Sequence, residues 1–138
     1  MIITKETTST ANDKKFLLRQ YINCNTTFVV YVITCRDCNL QYVGCTTNEL
    51  NVRIRKHLSD IPHAASRNVS AASLHFAAVH KGNTSGFSAQ GIEVVTAPIR
   101  GGNRRQKLLS RETYWMFMLE TCIPKGLNKK HDLTLQYM

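Results

Sequence analysis

The chain has 138 residues, enough for one compact core and too few for two comfortable ones. Eighteen Lys and Arg against nine Asp and Glu leave a net charge of +9, which favours a polyanionic partner, nucleic acid first, over an acidic or neutral one. No apolar run approaches the ~20 residues of a membrane span, the start lacks a signal-peptide hydrophobic region, and an odd number of cysteines, five, argues against a disulfide framework; the expectation is a chain that is neither membrane-bound nor secreted, with reduced thiols or a metal.

Residues 1–14 are rich in Thr, Ser, Lys and Asn without periodicity and read as a tail or linker, while 16–23 add at most an edge strand or a helical turn. Residues 1–26 therefore stand apart from a domain expected over 27–138. Two β-type runs follow, 28–34 and 40–43, joined by a polar connection with Arg36, Asp37 and Asn39, which reads as a hairpin. Each run carries a tyrosine, Tyr31 and Tyr42, and Cys35-x2-Cys38 brackets the turn. Thr46, Thr47 or Asn48 can cap a helix running to about residue 59, with Leu50, Ile54, Leu58 and Ile61 on its apolar face. Arg53 borders that face and shares a flank with His57, whereas Arg55 and Lys56 point to solvent.

Pro62 ends this helix, and 66–70 offer caps for a second over about 69–80, stopped by Gly82. Its small face (Ala72, Ala77, Ala78) suits close packing, and His75-x4-His80 closes it. A polar loop over 83–90 precedes a third strand at 92–96. The longest helical pattern, 104–121, places Glu112 inside the stripe Leu108, Trp115, Leu119, where a carboxylate must take up a proton or find a cation or metal; Arg53 and Arg111 are the alternative partners. The segment 124–128 breaks the helix and leaves a basic, loosely held end. Cys24, Cys45 and Cys122, without partners at metal-like spacing, read as small buried hydrophobes. Positive residues gather in Arg53, Arg55 and Lys56, in 100–111, and in Lys125, Lys129 and Lys130. The order strand, strand, helix, helix, strand, helix describes a small α/β (α+β) domain with a central antiparallel sheet of about three strands flanked by helices.

Val29-Val30-Tyr31, Tyr42-Val43-Gly44, Arg53 nine residues later, Glu112 within Arg-Glu-Thr-Tyr-Trp, and Asn128 together resemble the GIY-YIG nuclease family. The strings Val-Val-Tyr-Val-Ile-Thr-Cys, Tyr-Val-Gly-Cys-Thr-Thr, Arg-Gly-Gly-Asn and Pro-Lys-Gly-Leu-Asn are most similar to the endonuclease domain of Penelope-like retroelements. Valines replace the glycine and isoleucine of the first name motif, and Asn48 stands where related copies are expected to carry arginine.

The resemblance implies hydrolysis of DNA phosphodiesters, with Tyr31 as general base, Tyr42 positioning the water, Arg53 forked on the scissile phosphate, and Glu112 holding one Mg²⁺ or Mn²⁺. A tyrosine at its free pKa is a poor base, so the metal and Arg53 are expected to lower it. His57 is an alternate proton carrier, and Asn128 is grouped with the site as the residue that pins the C-terminal loop against it. Cys35, Cys38, His75 and His80 fit a structural Zn²⁺ site of the retroelement subgroup, which also implies a nuclear location and an upstream reverse transcriptase region. A non-cleaving nucleic-acid-binding module and a structure-specific repair nuclease are the alternatives, the latter without a Cys-x2-Cys in the name-motif hairpin.

Overall fold

A computed structural model describes residues 6–129. In chain order they form β1 (Glu6–Thr8), β2 (Lys15–Leu17), β3 (Val29–Cys35), β4 (Leu40–Thr46), α1 (Leu50–Asp60), a 3₁₀ turn (Ile61–His63), α2 (Ala71–Ala78), β5 (Phe87–Val94) and α3 (Arg104–Leu119). The fold is mixed α+β, built on an antiparallel sheet of order β4-β3-β5. Val29, Tyr31, Ile33 and Cys35 of β3 pack with α1 and α2 through Leu50, Ile54, Ala72 and Phe76. Val30 and Val32 pack the opposite way, with Leu108, Trp115, Met116 and Leu119 of α3. A central strand buried on both faces needs an unbroken apolar run, which is what Val-Val-Tyr-Val-Ile supplies. No helix among the described residues is long and apolar enough to cross a membrane.

The fold departs from the sequence expectations in several places. Residues 6–17 form the antiparallel pair β1-β2, not a tail, with Thr7 and Ser9 buried. Their polar side chains serve distant backbone: Ser9 Oγ donates to Leu119 O (2.6 Å), and Asn12 Nδ2 donates to Met118 O (3.3 Å) and to the Glu120 carboxylate (2.6 Å). Phe16 adds an edge contact on Trp115, ring centroids 5.5 Å apart. Expectations for residues 1–5 and 130–138 lie outside the described residues.

Helix α1 begins after Glu49 with no side-chain cap, because its first amides are met by main chain instead: Leu50 N and Asn51 N donate to Thr26 O and Cys24 O, each at 2.9 Å. On its inner face His57 takes the place expected for Leu58, which is 37 % exposed. Helix α2 is capped by Ser70 and ends at Ala78, so His80 lies beyond it on a reversal through Lys81 (φ 51°) and Gly82 (φ 87°). Strand β5 starts at Phe87, five residues before the expected start at 92, since pairing of Phe87 and Ser88 with Cys35 and Thr34 overrides their polar, weakly β-forming neighbourhood.

Candidate active site and metal cluster

The register Tyr31↔Gly44 across β3 and β4 sets the first half of the site. A Cβ at Gly44 would stand 2.6 Å from the Tyr31 ring, so only glycine lets that ring lie over the strand. Gly44→Ala should push Tyr31 aside, costing roughly 1–3 kcal/mol of stability by overpacking. Urea denaturation checks this, and unchanged stability would show that the close approach is dispensable.

Tyr31 is 0 % exposed, and its Oη lies 2.6 Å from His57 Nε2 and 3.3 Å from Arg53 Nε, which donates to it. Tyr42 enters from β4, its ring centroid 5.7 Å from that of His57. The expected lowering of the Tyr31 pKa is reversed among the protein's own groups: burial, reinforced by Tyr42, raises it despite the adjacent Arg53 guanidinium. The phenol therefore stays neutral, and its buried hydrogen needs an acceptor. His57 is the group in reach. It is 1 % exposed, and burial, then Arg53 and Lys56 against the opposing pull of Asp60, lowers its pKa to about 3, so the imidazole stays neutral.

That depression has a measurable sign. Between about 3 and the ordinary 6.5 the unfolded chain binds a proton that folded His57 refuses, so stability is complete above this window and falls with pH through it. The loss should approach ~1.4 kcal/mol per pH unit. His57→Gln should flatten the slope, read from urea midpoints taken from neutral to mildly acid pH; identical slopes would remove His57 as the source.

Glu112 comes from α3, on the opposite face of the sheet, and meets Cys45 of β4. Burial and the Glu112 carboxylate, to which the thiol donates, push the Cys45 pKa up, with Arg53 and Arg105 opposing. Cys45 thus lies between the two halves of the site around the edge strand β4, a half-buried thiol that hydrogen-bonds to Glu112, where a small apolar core residue was expected. Cys24 departs too, being exposed. Cys45, Thr46, Thr47, Arg105 and Glu112 line a cavity of about 310 Å³. Arg111, one alternative partner for Glu112, instead binds Glu93 at 2.9 Å, and Trp115 Nε1 donates to the same carboxylate.

Asn128 is 1 % exposed and braces the edge of β4 like a neighbouring strand: its Oδ1 accepts from Val43 N (2.8 Å) and Thr121 Oγ1 (2.7 Å), and its Nδ2 donates to Val43 O (3.0 Å). Both ends of its carboxamide are held by protein, so Asn128 fixes the segment after α3 against β4. Of the basic clusters, Arg104 stacks on Phe28 and donates to Val95 O, and Lys125 pairs with Glu120, so these two serve the fold.

The hairpin turn and the reversal after α2 bring Cys35, Cys38, His75 and His80 together, with one donor atom from each lying within 4.8 Å of the others. His80 Nε2 is 3.2 Å from Cys35 Sγ, 3.5 Å from Cys38 Sγ and 3.2 Å from His75 Nε2. A tetrahedral ion with metal-sulfur bonds near 2.3 Å and metal-nitrogen bonds near 2.05 Å would set S···N at roughly 3.6 Å and N···N at roughly 3.3 Å. The three spacings from His80 thus already lie close to edges of a coordination tetrahedron. Burial and neighbouring His80 hold His75 below its usual pKa, which keeps a lone pair for a metal.

A family model described as the GIY-YIG catalytic domain matches residues 27–121, from just before β3 to just after α3. No curated protein and no solved structure matches the chain. Because the match spans more than half of the chain and takes in both tyrosines, Arg53 and Glu112, the chain belongs to the GIY-YIG family and carries a nuclease domain that acts on DNA.

Proposed function

We propose that the domain is a divalent-metal-dependent endonuclease that nicks or cuts DNA by hydrolysis. The observation that carries this reading is the contact set of the Tyr31 hydroxyl, held between a neutral imidazole at 2.6 Å and a guanidinium at 3.3 Å. The negative charge of bound phosphate raises the proton affinity of His57 above its resting value; as a water molecule gives its proton to Tyr31 Oη, the tyrosine's own proton passes to His57 Nε2, and the hydroxide left behind attacks phosphorus. The leaving oxygen departs and takes a proton from solvent, and the imidazolium later releases its own. Arg53 keeps Nε on Tyr31 and offers its terminal amino groups to the non-bridging phosphate oxygens, a forked contact. Glu112, in a cavity that also presents the Thr46 and Thr47 hydroxyls, would hold Mg²⁺ or Mn²⁺, which supplies charge neutralisation at the phosphate.

Cys35, Cys38, His75 and His80 would hold Zn²⁺ with no open position, a structural role. The retroelement-like strings around Tyr31, Gly44 and Asn128 support a place in a longer polypeptide with a reverse transcriptase, cutting nuclear DNA for insertion. The expected result is relaxation of supercoiled plasmid by the purified chain with Mg²⁺ or Mn²⁺ and none by Glu112→Ala. Equal cutting by the variant would place the chemistry elsewhere.

A further inference from the structure

His57 reaches the site through one ring nitrogen and α2 through the other. Its Nδ1 lies 2.9 Å from Ser70 Oγ; Ser70 Oγ lies 3.2 Å from Ser73 Oγ; Ser73 Oγ lies 2.8 Å from the main-chain carbonyl of His57 itself. His57 and Ser73 are each 1 % exposed and Ser70 is half-buried, so the loop closes at the seam between α1 and α2.

The carbonyl fixes every proton in this loop. A carbonyl oxygen only accepts, so Ser73 spends its single hydrogen there; two buried oxygens 2.8 Å apart with no hydrogen between them would repel. The Ser73 oxygen can then only accept from Ser70, which spends the Ser70 hydrogen. Ser70 Oγ already accepts from Ser73 N at 3.2 Å, and its remaining lone pair faces Nδ1, which must carry the imidazole proton. Nε2 is left as a bare lone pair facing Tyr31 Oη. The other end of the chain gives the same direction independently: Arg53 Nε only donates, so the tyrosine oxygen accepts from it and turns its own hydrogen to His57.

We propose that Ser70 and Ser73 are positioning residues that lock His57 in the Nδ1–H tautomer, leaving Nε2 ready to take the Tyr31 proton. The catalytic consequence rests on the nuclease reading above; the tautomer does not. Ser70 has a second duty as the cap of α2, and Ser73 also ties α2 to the His57 carbonyl; toward Nδ1, Ser73 acts by drawing the Ser70 hydroxyl to itself.

Long-range ¹H–¹⁵N correlation spectra of the labelled full chain at neutral pH read the tautomer directly, beside single-turnover cleavage of plasmid. Wild type should show His57 protonated at Nδ1 alone. In Ser73→Ala the Ser70 hydroxyl is released to donate to Nδ1, so the Nε2–H form should appear and the cleavage rate should fall roughly 10- to 100-fold, with DNA affinity unchanged. Ser70→Thr, which keeps hydroxyl and cap, should keep the wild-type tautomer and rate. A wild-type spectrum with the proton on Nε2 overturns the assignment without any variant having to fold, as does a folded Ser73→Ala with unchanged tautomer and rate. A wild type that shows the Nδ1–H form yet cuts no DNA would instead sink the nuclease reading and leave the lock standing.

Discussion

Arg53→Ala should lower the cleavage rate by roughly 10³-fold or more, the range seen when a guanidinium that neutralises a phosphoryl transition state is removed. Two losses coincide in this variant: the phosphate loses its forked donor, and Tyr31 Oη loses the Nε–H that steadies negative charge on it, at 3.3 Å in the resting site. Arg53→Lys keeps the charge but neither the fork nor the contact to Tyr31, and should recover little. DNA binding should hardly change. One phosphate contact contributes about 0.9 to the slope of log K against log salt, and the chain carries +9 over many residues. Rates and salt-dependent affinities measured on the same plasmid fragment separate the two effects; a variant that binds poorly and cuts in proportion would make Arg53 a mere docking charge.

Removing the cluster metal should have the second large effect. Purified without chelator, the chain should contain one zinc, and Cys35→Ser/Cys38→Ser should lose it together with more than about 10 °C of Tm, since roughly 4 kcal/mol at ~3 °C per kcal/mol is expected for a domain of this size. The shift should be large because the four donors tie the β3-β4 turn to the segment after α2, and Cys35 is itself wholly buried in the core with Tyr31. Loosening that turn frees the strand that carries Tyr31 four residues earlier, so cleavage should fall with stability. Elemental analysis and thermal melts decide it. A metal-free native protein as heat-stable as the double variant would refute the site.

Much of this was legible along the chain. The unbroken run Val-Val-Tyr-Val-Ile marks a core strand, and the apolar period over 104–121 marks α3. Glu112 shows by its phase against Leu108 and Trp115 that it cannot be an ordinary surface carboxylate, and the Cys-x2-Cys and His-x4-His pairs announce metal-capable donors. These signals are local: they record which face of an element a residue occupies, and a face is fixed by the period of the helix or strand alone.

What the tertiary structure alone decided are the partners. Residues 6–17 look like a tail because their side chains are polar, yet Ser9 and Asn12 satisfy carbonyls at the end of α3, more than a hundred residues away. Leu58 and His57 exchange their expected places because the inner face of α1 meets the Tyr31 hydroxyl, which demands a polar acceptor where periodicity alone would put an aliphatic side chain. Ser70 is readable as a helix cap, but its contact with His57, and the ring of hydroxyls through Ser73, exist only once α1 and α2 close against each other. The direction of the Tyr31 pKa belongs here as well: sequence puts an arginine nearby, but only the closed fold removes water from the phenol, and desolvation then outweighs the single neighbouring charge.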